Sequence, residues 1–225
     1  MARKRYEVLT DETYEKIKSL IMDHILSPGE RVSIDGLSRS FQISQTPIRE
    51  ALARLESDEL VTRRPLSGYS VSEILTLEEL KSLYEFRMQI EPKAAELACK
   101  NMNDERSDLI NNEVAKIADL STGNTYFKYK DMFQHDIRFH NLIFNLAGNK
   151  FLTTAFEKAH CHLHIFRMNP TSKKLQGEAL QEHFEIAKAL LVGNPLKAKN
   201  AMTFHLRNSH HRLLKNPKGK NDSST

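Results

Sequence analysis

Residues 43–56 read ISQTPIREALARLE, and this stretch decides how the N-terminal part of the chain folds. Its apolar side chains recur at three- and four-residue steps, which is the spacing of one face of an α-helix. They are Ile48, Ala51, Leu52 and Leu55. Ser44 precedes this pattern and predicts an N-cap, because its hydroxyl can accept a backbone N–H of the first turn. Pro47 falls in that turn, where a missing N–H costs little. The stretch therefore predicts an amphipathic helix.

The polar positions of this helix carry side chains that suit DNA bases and phosphates. They are Gln45, Thr46, Arg49 and Arg54. An ordinary amphipathic surface helix has the same pattern, so this stretch alone leaves both interpretations open. The flanking residues favour DNA binding.

A second, shorter helix is predicted just before the first one. Residues 35–41 place Leu37 and Phe41 on one face, and Ser33 can cap them. Residues 42–44 form a tight connection to the next helix, and two short helices joined in this way make a helix-turn-helix.

A β-hairpin is predicted after the helix-turn-helix. Residues 60–64 and 69–72 have strand-like composition, and residues 65–68 between them contain Pro and Gly. A hairpin that directly follows a recognition helix is a wing. Its first strand would place Arg63 and Arg64 beside the DNA groove.

Together these segments resemble the winged-helix domain of GntR-type bacterial transcription regulators. The resemblance covers residues 11–73 and rests mainly on a Ser-x-Thr-Pro-hydrophobic-Arg-Glu-Ala-Leu run at residues 44–52. Further matching segments are residues 29–32, 55–56, 60–61 and 68–71. The resemblance implies double-stranded operator DNA as a partner. Its implied DNA-binding residues are Arg31, Ser44, Gln45, Thr46, Arg49, Arg54, Arg63, Arg64, Ser67 and Gly68.

One position departs from that family pattern. The family often has Arg between the Ser and the Thr, where this chain has Gln45. Gln pairs best with adenine and Arg with guanine. The departure therefore predicts a different operator.

Composition and charge limit the class of protein. The chain has 40% hydrophobic and 28% charged residues, which is ordinary for a soluble globular protein. It contains no apolar run of about eighteen residues that could span a membrane, and no apolar segment follows its basic N-terminus, so no secretory signal is expected. Cys99 and Cys161 form no motif and are expected to be buried thiols in a reducing compartment. These features predict a cytoplasmic protein.

The net charge of +4 is weak support for DNA binding. Residues 1–75 contain 11 Lys and Arg against 12 Asp and Glu, and the basic excess lies in residues 76–225. Affinity for DNA must then depend on where individual charges point rather than on their sum.

The rest of the chain predicts a mostly α protein with three parts. Residues 1–75 form the winged helix-turn-helix, with a polar arm over residues 1–9 and a first helix from residue 10 or 11 to about residue 26. Residues 76–215 form an all-α bundle of about six helices, large enough for its own core. Residues 216–225 are polar and predict a disordered tail.

Capping signals place the helices of that bundle. A capping box at residues 76–79 starts the first one, and Asn103 or Asp104 starts the second. Asn194 and Pro195 restart the chain after a break as N-cap and N1. The predicted helices cover about residues 76–100, 104–120, 126–147, 150–168, 178–191 and 195–214.

Four residues of the bundle form a metal-ligand pattern. Asp136 and His140 are one helical turn apart and share a face. His183 and His205 lie at similar distances before and after the turn near Gly193, about 15 and 18 Å at a rise of roughly 1.5 Å per residue. Three imidazoles and a carboxylate suit Zn²⁺, with Ni²⁺ or Mn²⁺ as alternatives. Separate core or surface positions are the other interpretation, and spacing alone leaves it open.

The remaining histidines offer no such pattern. His160, His162 and His164 alternate, which on a helix points them in different directions. They are not expected to form a ligand set by themselves, and His135 stands alone.

Residues 78–212 resemble the FCD effector-binding domain of FadR-like GntR regulators. The resemblance rests on Asp136-x-x-Phe139-His140, on His183 and His205, and on residues 87–91. It implies a homodimer, and an effector that is a small organic acid or sugar acid bound at or beside the metal. Arg87 is a candidate partner for the effector carboxylate. A salt bridge to Glu91, one turn further on, is the equal alternative for Arg87.

Three functions are compared. A DNA-binding regulator controlled by a carboxylate effector is the leading interpretation, and its dimer predicts a pseudo-palindromic operator. The same regulator with a purely structural metal is the second. A metal-dependent hydrolase is the third, but Glu182, the acid next to His183, points about 100° away from it on a helix. No enzyme activity is therefore expected.

Overall fold

The computed structural model describes residues 2–66, 68–121, 123–168 and 173–215. The chain divides into two compact units, Met1–Ile74 and Leu75–Thr225. Ser67 and the predicted tail at residues 216–225 lie outside the described residues. Along the described ranges, no helix is long and apolar enough to cross a membrane.

The N-terminal unit is a winged helix-turn-helix, as predicted. Its elements are α1 (Ala2–Met22), β1 (Arg31–Val32), α2 (Ile34–Phe41), α3 (Gln45–Ser57), β2 (Val61–Arg64) and β3 (Gly68–Val71). The three strands form one antiparallel sheet in the order β1-β3-β2. The short strand β1 was not predicted, because two residues are too few for an alternating pattern to register.

Helix α1 differs from its prediction at both ends. It begins at Ala2 rather than at residue 10 or 11, so the predicted polar arm is wrong. Residues 2–9 contain no Gly or Pro, and most of them tolerate a helix well. The helix ends at Met22 rather than at residue 26, because His24 adopts a positive φ of 57° and turns the chain.

The helix-turn-helix follows its prediction closely. Ser33 caps α2 by accepting the Gly36 N–H at 3.0 Å, and Gln42 ends the helix with a left-handed φ of 57°. Ser44 has the extended backbone of an N-cap before α3, but its side chain makes no capping hydrogen bond. The predicted apolar face is fully buried at Ile48, Ala51, Leu52 and Leu55.

The wing pairs β2 with β3 in register, with Arg63 opposite Tyr69 and Arg64 opposite Gly68. Gly68 has a φ of 80°, a conformation that costs glycine little. A Cβ atom at Gly68 would meet nothing within 4 Å, so the requirement for glycine is one of backbone torsion rather than space. Arg63 and Arg64 of this wing are exposed.

The C-terminal unit is helical throughout its described part, as predicted, but has seven α-helices rather than about six. They are α4 (Leu77–Lys100), α5 (Asp104–Ala115), α6 (Tyr126–Ala147), α7 (Lys150–Lys158), α8 (Cys161–Met168), α9 (Lys173–Leu191) and α10 (Pro195–Lys215). A 3-10 turn at Lys116–Asp119 follows α5. The helix predicted over residues 150–168 is two helices, because His160 takes a φ of 40° between them.

The predicted caps hold the helices of this unit. Thr76 and Glu79 form a reciprocal capping box at α4. Asn103 accepts the Arg106 N–H at the start of α5, and Asn194 accepts the Lys197 N–H at the start of α10. Each cap satisfies a backbone donor that the helix itself leaves unpaired.

The core of this unit lies between α4, α6, α9 and α10. Its largest contributors are fully buried aromatic and aliphatic side chains. They include Phe139, Ile143, Phe144, Ile186, Leu190, Met202 and Leu206. The same packing brings His140 of α6, His183 of α9 and His205 of α10 close together in the interior.

Leu52→Ala tests the core of the N-terminal unit. Leu52 is completely buried in α3, so its loss should destabilise the unit by about 2–5 kcal/mol. Hydrogen exchange of the α3 amides in the full-length chain measures this. Arg49→Ala, on the exposed face of the same helix, is the control and should change stability by less than about 0.5 kcal/mol. Equal protection in both variants would contradict the assignment of this face to the core.

Candidate metal centre and DNA-reading surface

Three imidazoles converge inside the C-terminal unit. His140 on α6, His183 on α9 and His205 on α10 are all buried, and one ring nitrogen from each lies within 4.8 Å of the other two. The hairpin of α9 and α10 turns at Gly193, whose φ is 72°. This turn brings His183 and His205 to the same height, as their spacing predicted.

Asp136, the fourth predicted ligand, lies at the same point. Its Oδ1 atom is 3.3 Å from Nε2 of His183. Its Oδ2 atom accepts a hydrogen bond from Nδ1 of His162, on α8. Asp136 therefore lies beside one of the three clustered imidazoles, and His162 adjoins it.

Two of the imidazoles are held from behind by carboxylates. His140 donates from Nδ1 to Glu91 at 2.5 Å, and His205 donates from Nδ1 to Glu182 at 2.8 Å. Metal-binding histidines commonly have this partner on their second nitrogen, because it fixes the tautomer and orients the ring. In a neutral imidazole held in this way, Nε2 carries no hydrogen and can bind a metal.

The third imidazole is held by another histidine. Nδ1 of His183 lies 3.2 Å from Nε2 of His135, and Nδ1 of His135 lies 2.9 Å from Glu113. Glu113 accepts a hydrogen bond from Nδ1 of His135. The Nε2 atom of the His135 ring is therefore the acceptor for His183. The result is the same as for the other two rings, since Nε2 of His183 is also free of hydrogen.

These inward-facing nitrogens make the site fit a cation. Nε2 of His140 and Nε2 of His183 are buried and have no hydrogen-bond partner among the described residues. A buried polar atom left unpaired costs about 1–3 kcal/mol. A divalent metal ion bound by neutral imidazoles and a carboxylate would remove that cost.

The protonation states suit the same role. Burial lowers the pKa of His140 to about 4, although Glu91 opposes the shift, and burial holds the pKa of His183 well below its ordinary value. Burial alone would raise the pKa of Asp136, but His162 and the neighbouring imidazoles hold it well below the usual range. Neutral imidazoles and an ionised carboxylate are the forms that bind metals.

Arg87 forms the salt bridge to Glu91 that was the alternative to an effector contact. It is buried and forms an ion pair with Glu91, with Nη2 3.3 Å from Oε2 and a closer bond from Nε to Oε1. Burial would lower the pKa of Arg87, but Glu91 holds it above its ordinary value, so the side chain stays charged. Arg87 is thus connected to His140 through Glu91.

A cavity of about 60 Å³ adjoins the cluster. Its polar lining residues are Arg87, Asp136, Gln176, His205, Ser209 and Arg212. Its apolar lining residues are Met132, Ile165, Phe166, Leu175, Ala179 and Leu213. Two arginines and two of the predicted metal ligands therefore face one small, half-apolar space.

Sequence reasoning missed several of these side chains. The alternation of His162 with its neighbours hid it, because the break at His160 re-aims the start of α8. The 100° between Glu182 and His183 around α9, which argues against a general base, turns this carboxylate toward His205 on α10. Arg212 forms two bonds to Glu182, at 2.6 and 2.8 Å, and no local pattern pointed to it.

The candidate DNA-reading surface is the exposed part of α3. Gln45, Thr46 and Arg49 are all exposed there, and Ser44 precedes them. Gln45 donates from Nε2 to Oδ1 of Asp35 at 2.6 Å, and Arg49 donates from Nη2 to Oε1 of Gln45 at 3.3 Å. Gln45 and Arg49, two of the four predicted DNA-contacting side chains of this helix, are therefore linked to each other.

The other predicted DNA contacts divide into two groups. Exposed positions on the sheet are Arg31, Arg63, Arg64 and Gly68. Arg54 is also exposed, and it forms an ion pair with Asp11 at 2.6 Å and lies 4.4 Å above the ring of Tyr14. Its guanidinium is held against α1, away from the Gln45 end of α3.

Comparison with known families and proteins agrees with this two-part arrangement. Residues 9–71 match the family described as bacterial regulatory proteins, gntR family, and residues 82–208 match the FCD domain. The HTH-type transcriptional regulator YdhC of Bacillus subtilis (strain 168) is 26% identical over 193 residues, which is 85% of each chain. LutR, an HTH-type transcriptional regulator of the same strain, is 25% identical over 211 residues, covering 84% of this chain and 94% of LutR.

Solved structures give the same fold. The Escherichia coli protein McbR/YncC superposes with a TM-score of 0.66 at 19% identity, covering 92% of this chain and 97% of that one. Both matched families and the named relatives are transcriptional regulators rather than enzymes. The chain therefore belongs to the GntR family and is a DNA-binding transcriptional regulator whose C-terminal unit is an FCD domain.

Proposed function

We propose that this regulator reads its operator through α3 and the wing, and that a small carboxylate bound beside a divalent metal controls its operator affinity. The observation that carries the proposal is the buried cluster of His140, His183 and His205 beside Asp136. An effector can shift operator affinity only as far as its own affinity differs between two states of the protein. The cavity next to the cluster offers a place for such binding.

For DNA, Thr46 and Arg49 on α3 and the wing arginines Arg63 and Arg64 are the proposed contacts. All four are exposed, and their side chains suit base edges and phosphates. One winged helix reads one short half-site, so we propose a homodimer on a pseudo-palindromic operator.

Arg49→Ala should weaken operator binding by about 1–3 kcal/mol, because a guanidinium that reads a base contributes about that much. Fluorescence anisotropy with operator DNA measures it. Arg207→Ala removes an equally exposed arginine from α10 and should leave affinity unchanged. Equal effects of the two substitutions would argue that Arg49 contributes only charge.

For the metal, Asp136, His140, His183 and His205 are the proposed ligands. Zn²⁺ is the first candidate, because it favours four-ligand sites rich in imidazole, with Ni²⁺ and Mn²⁺ as alternatives. A bound metal would supply a coordination position for a carboxylate. The protein's own contribution is to orient each imidazole through its Nδ1 atom and to keep Asp136 ionised.

The ligand assignment predicts that the His183→Ala and His205→Ala double variant loses its metal, as elemental analysis of the purified protein measures. It should still bind operator DNA, because the proposed DNA contacts lie in the N-terminal unit. His211→Ala, an exposed histidine of α10, is the control and should retain the metal. A double variant with stoichiometric metal would refute the assignment. A metal-free variant with a normal effector response would make the metal structural.

For the effector, the cavity favours a compact carboxylate over a sugar acid. Its space is about 60 Å³, and about half of its lining residues are apolar. Its hydroxyl and amide groups are already engaged, since Ser209 pairs with Tyr84 at 2.6 Å and Gln176 makes two bonds with the backbone of Gly123. The hydroxyls of a sugar acid would lose water and find few partners, which is unfavourable.

Isobutyrate and gluconate separate these two effector classes. Isobutyrate should change the operator affinity of the metal-loaded protein by about fivefold or more, which is the lower end of typical coupling, and gluconate should not. Anisotropy titration with each acid measures the effect, and the metal-free double variant is the control. A response to gluconate alone would overturn the proposed class.

A further inference from the structure

The link between Asp35, Gln45 and Arg49 bears on how the operator is read. Asp35 lies in the first turn of α2, Gln45 is the first residue of α3, and Arg49 is one turn further along α3. The carboxylate of Asp35 accepts from Nε2 of Gln45 at 2.6 Å, and Oε1 of Gln45 accepts from Nη2 of Arg49 at 3.3 Å. Both polar ends of the Gln45 amide are therefore engaged.

Because the Gln45 amide makes both contacts, bidentate reading of a base by Gln45 would have to compete with them. A glutamine that recognises adenine uses its amide oxygen for N6 and its amide nitrogen for N7. Asp35 is an acceptor only and therefore takes the amide nitrogen, which turns the oxygen toward Arg49. The sequence-based expectation that Gln45 changes the operator stays a prediction, and this geometry points to a different way for Gln45 to act.

We propose instead that Gln45 and Asp35 are positioning residues that hold Arg49 for base recognition. The proposal rests on the proposed contact between Arg49 and the operator. One N–H of Arg49 is used by Gln45, and enough of its five donors remain for the O6 and N7 acceptors of guanine. The base pair under Arg49 is then the one whose recognition depends on all three residues.

The link should contribute more on DNA than in free solution. Exposed polar contacts contribute little in water, because water competes for the same groups. A DNA groove excludes much of that water, and hydrogen bonds to charged groups strengthen as it leaves. Holding Arg49 in place beforehand also reduces the side-chain ordering that binding would otherwise require.

Selection from a randomised operator library tests the proposal with four variants. Arg49→Ala should lose its preference at one base pair by about 5- to 150-fold. Asp35→Ala and Gln45→Ala should relax the preference at that same base pair by about two- to tenfold. Asp35→Asn, which keeps an acceptor oxygen but removes the charge, should retain most of the preference.

A charge control separates positioning from simple repulsion of phosphates. Glu12→Ala removes one exposed negative charge from α1 of the same unit, and its effect should be equal across all sequences. Asp35→Ala overturns the proposal if it behaves like this control, that is, if it strengthens binding to all sequences equally and keeps the base preference. If Gln45→Ala instead loses an adenine preference at a separate base pair, Gln45 reads DNA directly and the proposal is overturned.

These outcomes also distinguish this inference from the proposed DNA contact. A strong effect of Arg49→Ala with no change at its base pair in Asp35→Ala and Gln45→Ala overturns the positioning role alone. No effect of Arg49→Ala overturns both. Thermal melting of each variant confirms that differences in selection do not come from unfolding.

Discussion

The stability of the C-terminal unit depends on pairing the polar groups that are buried in its core. Buried charges are costly unless they are paired. Here the carboxylates that orient imidazoles are themselves neutralised by arginines, so that Arg87, Glu91 and His140 form one chain of contacts. Arg212, Glu182 and His205 form a second chain of the same kind. Nε2 of His140 and Nε2 of His183, on the inner face of the cluster, have no hydrogen-bond partner among the described residues, and a cation would bind there.

This arrangement makes the α9–α10 hairpin as important as the ligands it carries. Each residue rotates a helix by about 100°. A shift of one residue between His183 and His205 would therefore turn one ring away from the cluster and separate His205 from Glu182. The left-handed Gly193 and the cap formed by Asn194 hold the register, although both are far from the site along their helices.

The features that could be predicted from sequence are those that local rules determine. The capping box at Thr76, the bounds of α6 and the shared height of His183 and His205 follow from caps and helical rise. The outer partners Glu91, Glu182 and His135 could not be predicted, because each pairing joins different helices and depends on their packing. The start of α1 and the break at His160 were missed for another reason. Both depend on small differences in backbone preference that neighbouring packing can override.

In the N-terminal unit, the distribution of charge explains how a segment with no net positive charge can serve a DNA-binding protein. Residues 1–75 hold one more acid than base, which limits the non-specific attraction to phosphates that a basic domain would have. Asp11 pairs with Arg54 at 2.6 Å, and Arg49, Arg54, Arg63 and Arg64 are all exposed. Weak non-specific binding raises the ratio between operator and other DNA, and that ratio determines occupancy in a genome. A nearly neutral winged helix with a few exposed arginines is therefore suited to selective operator binding rather than to high affinity for any DNA.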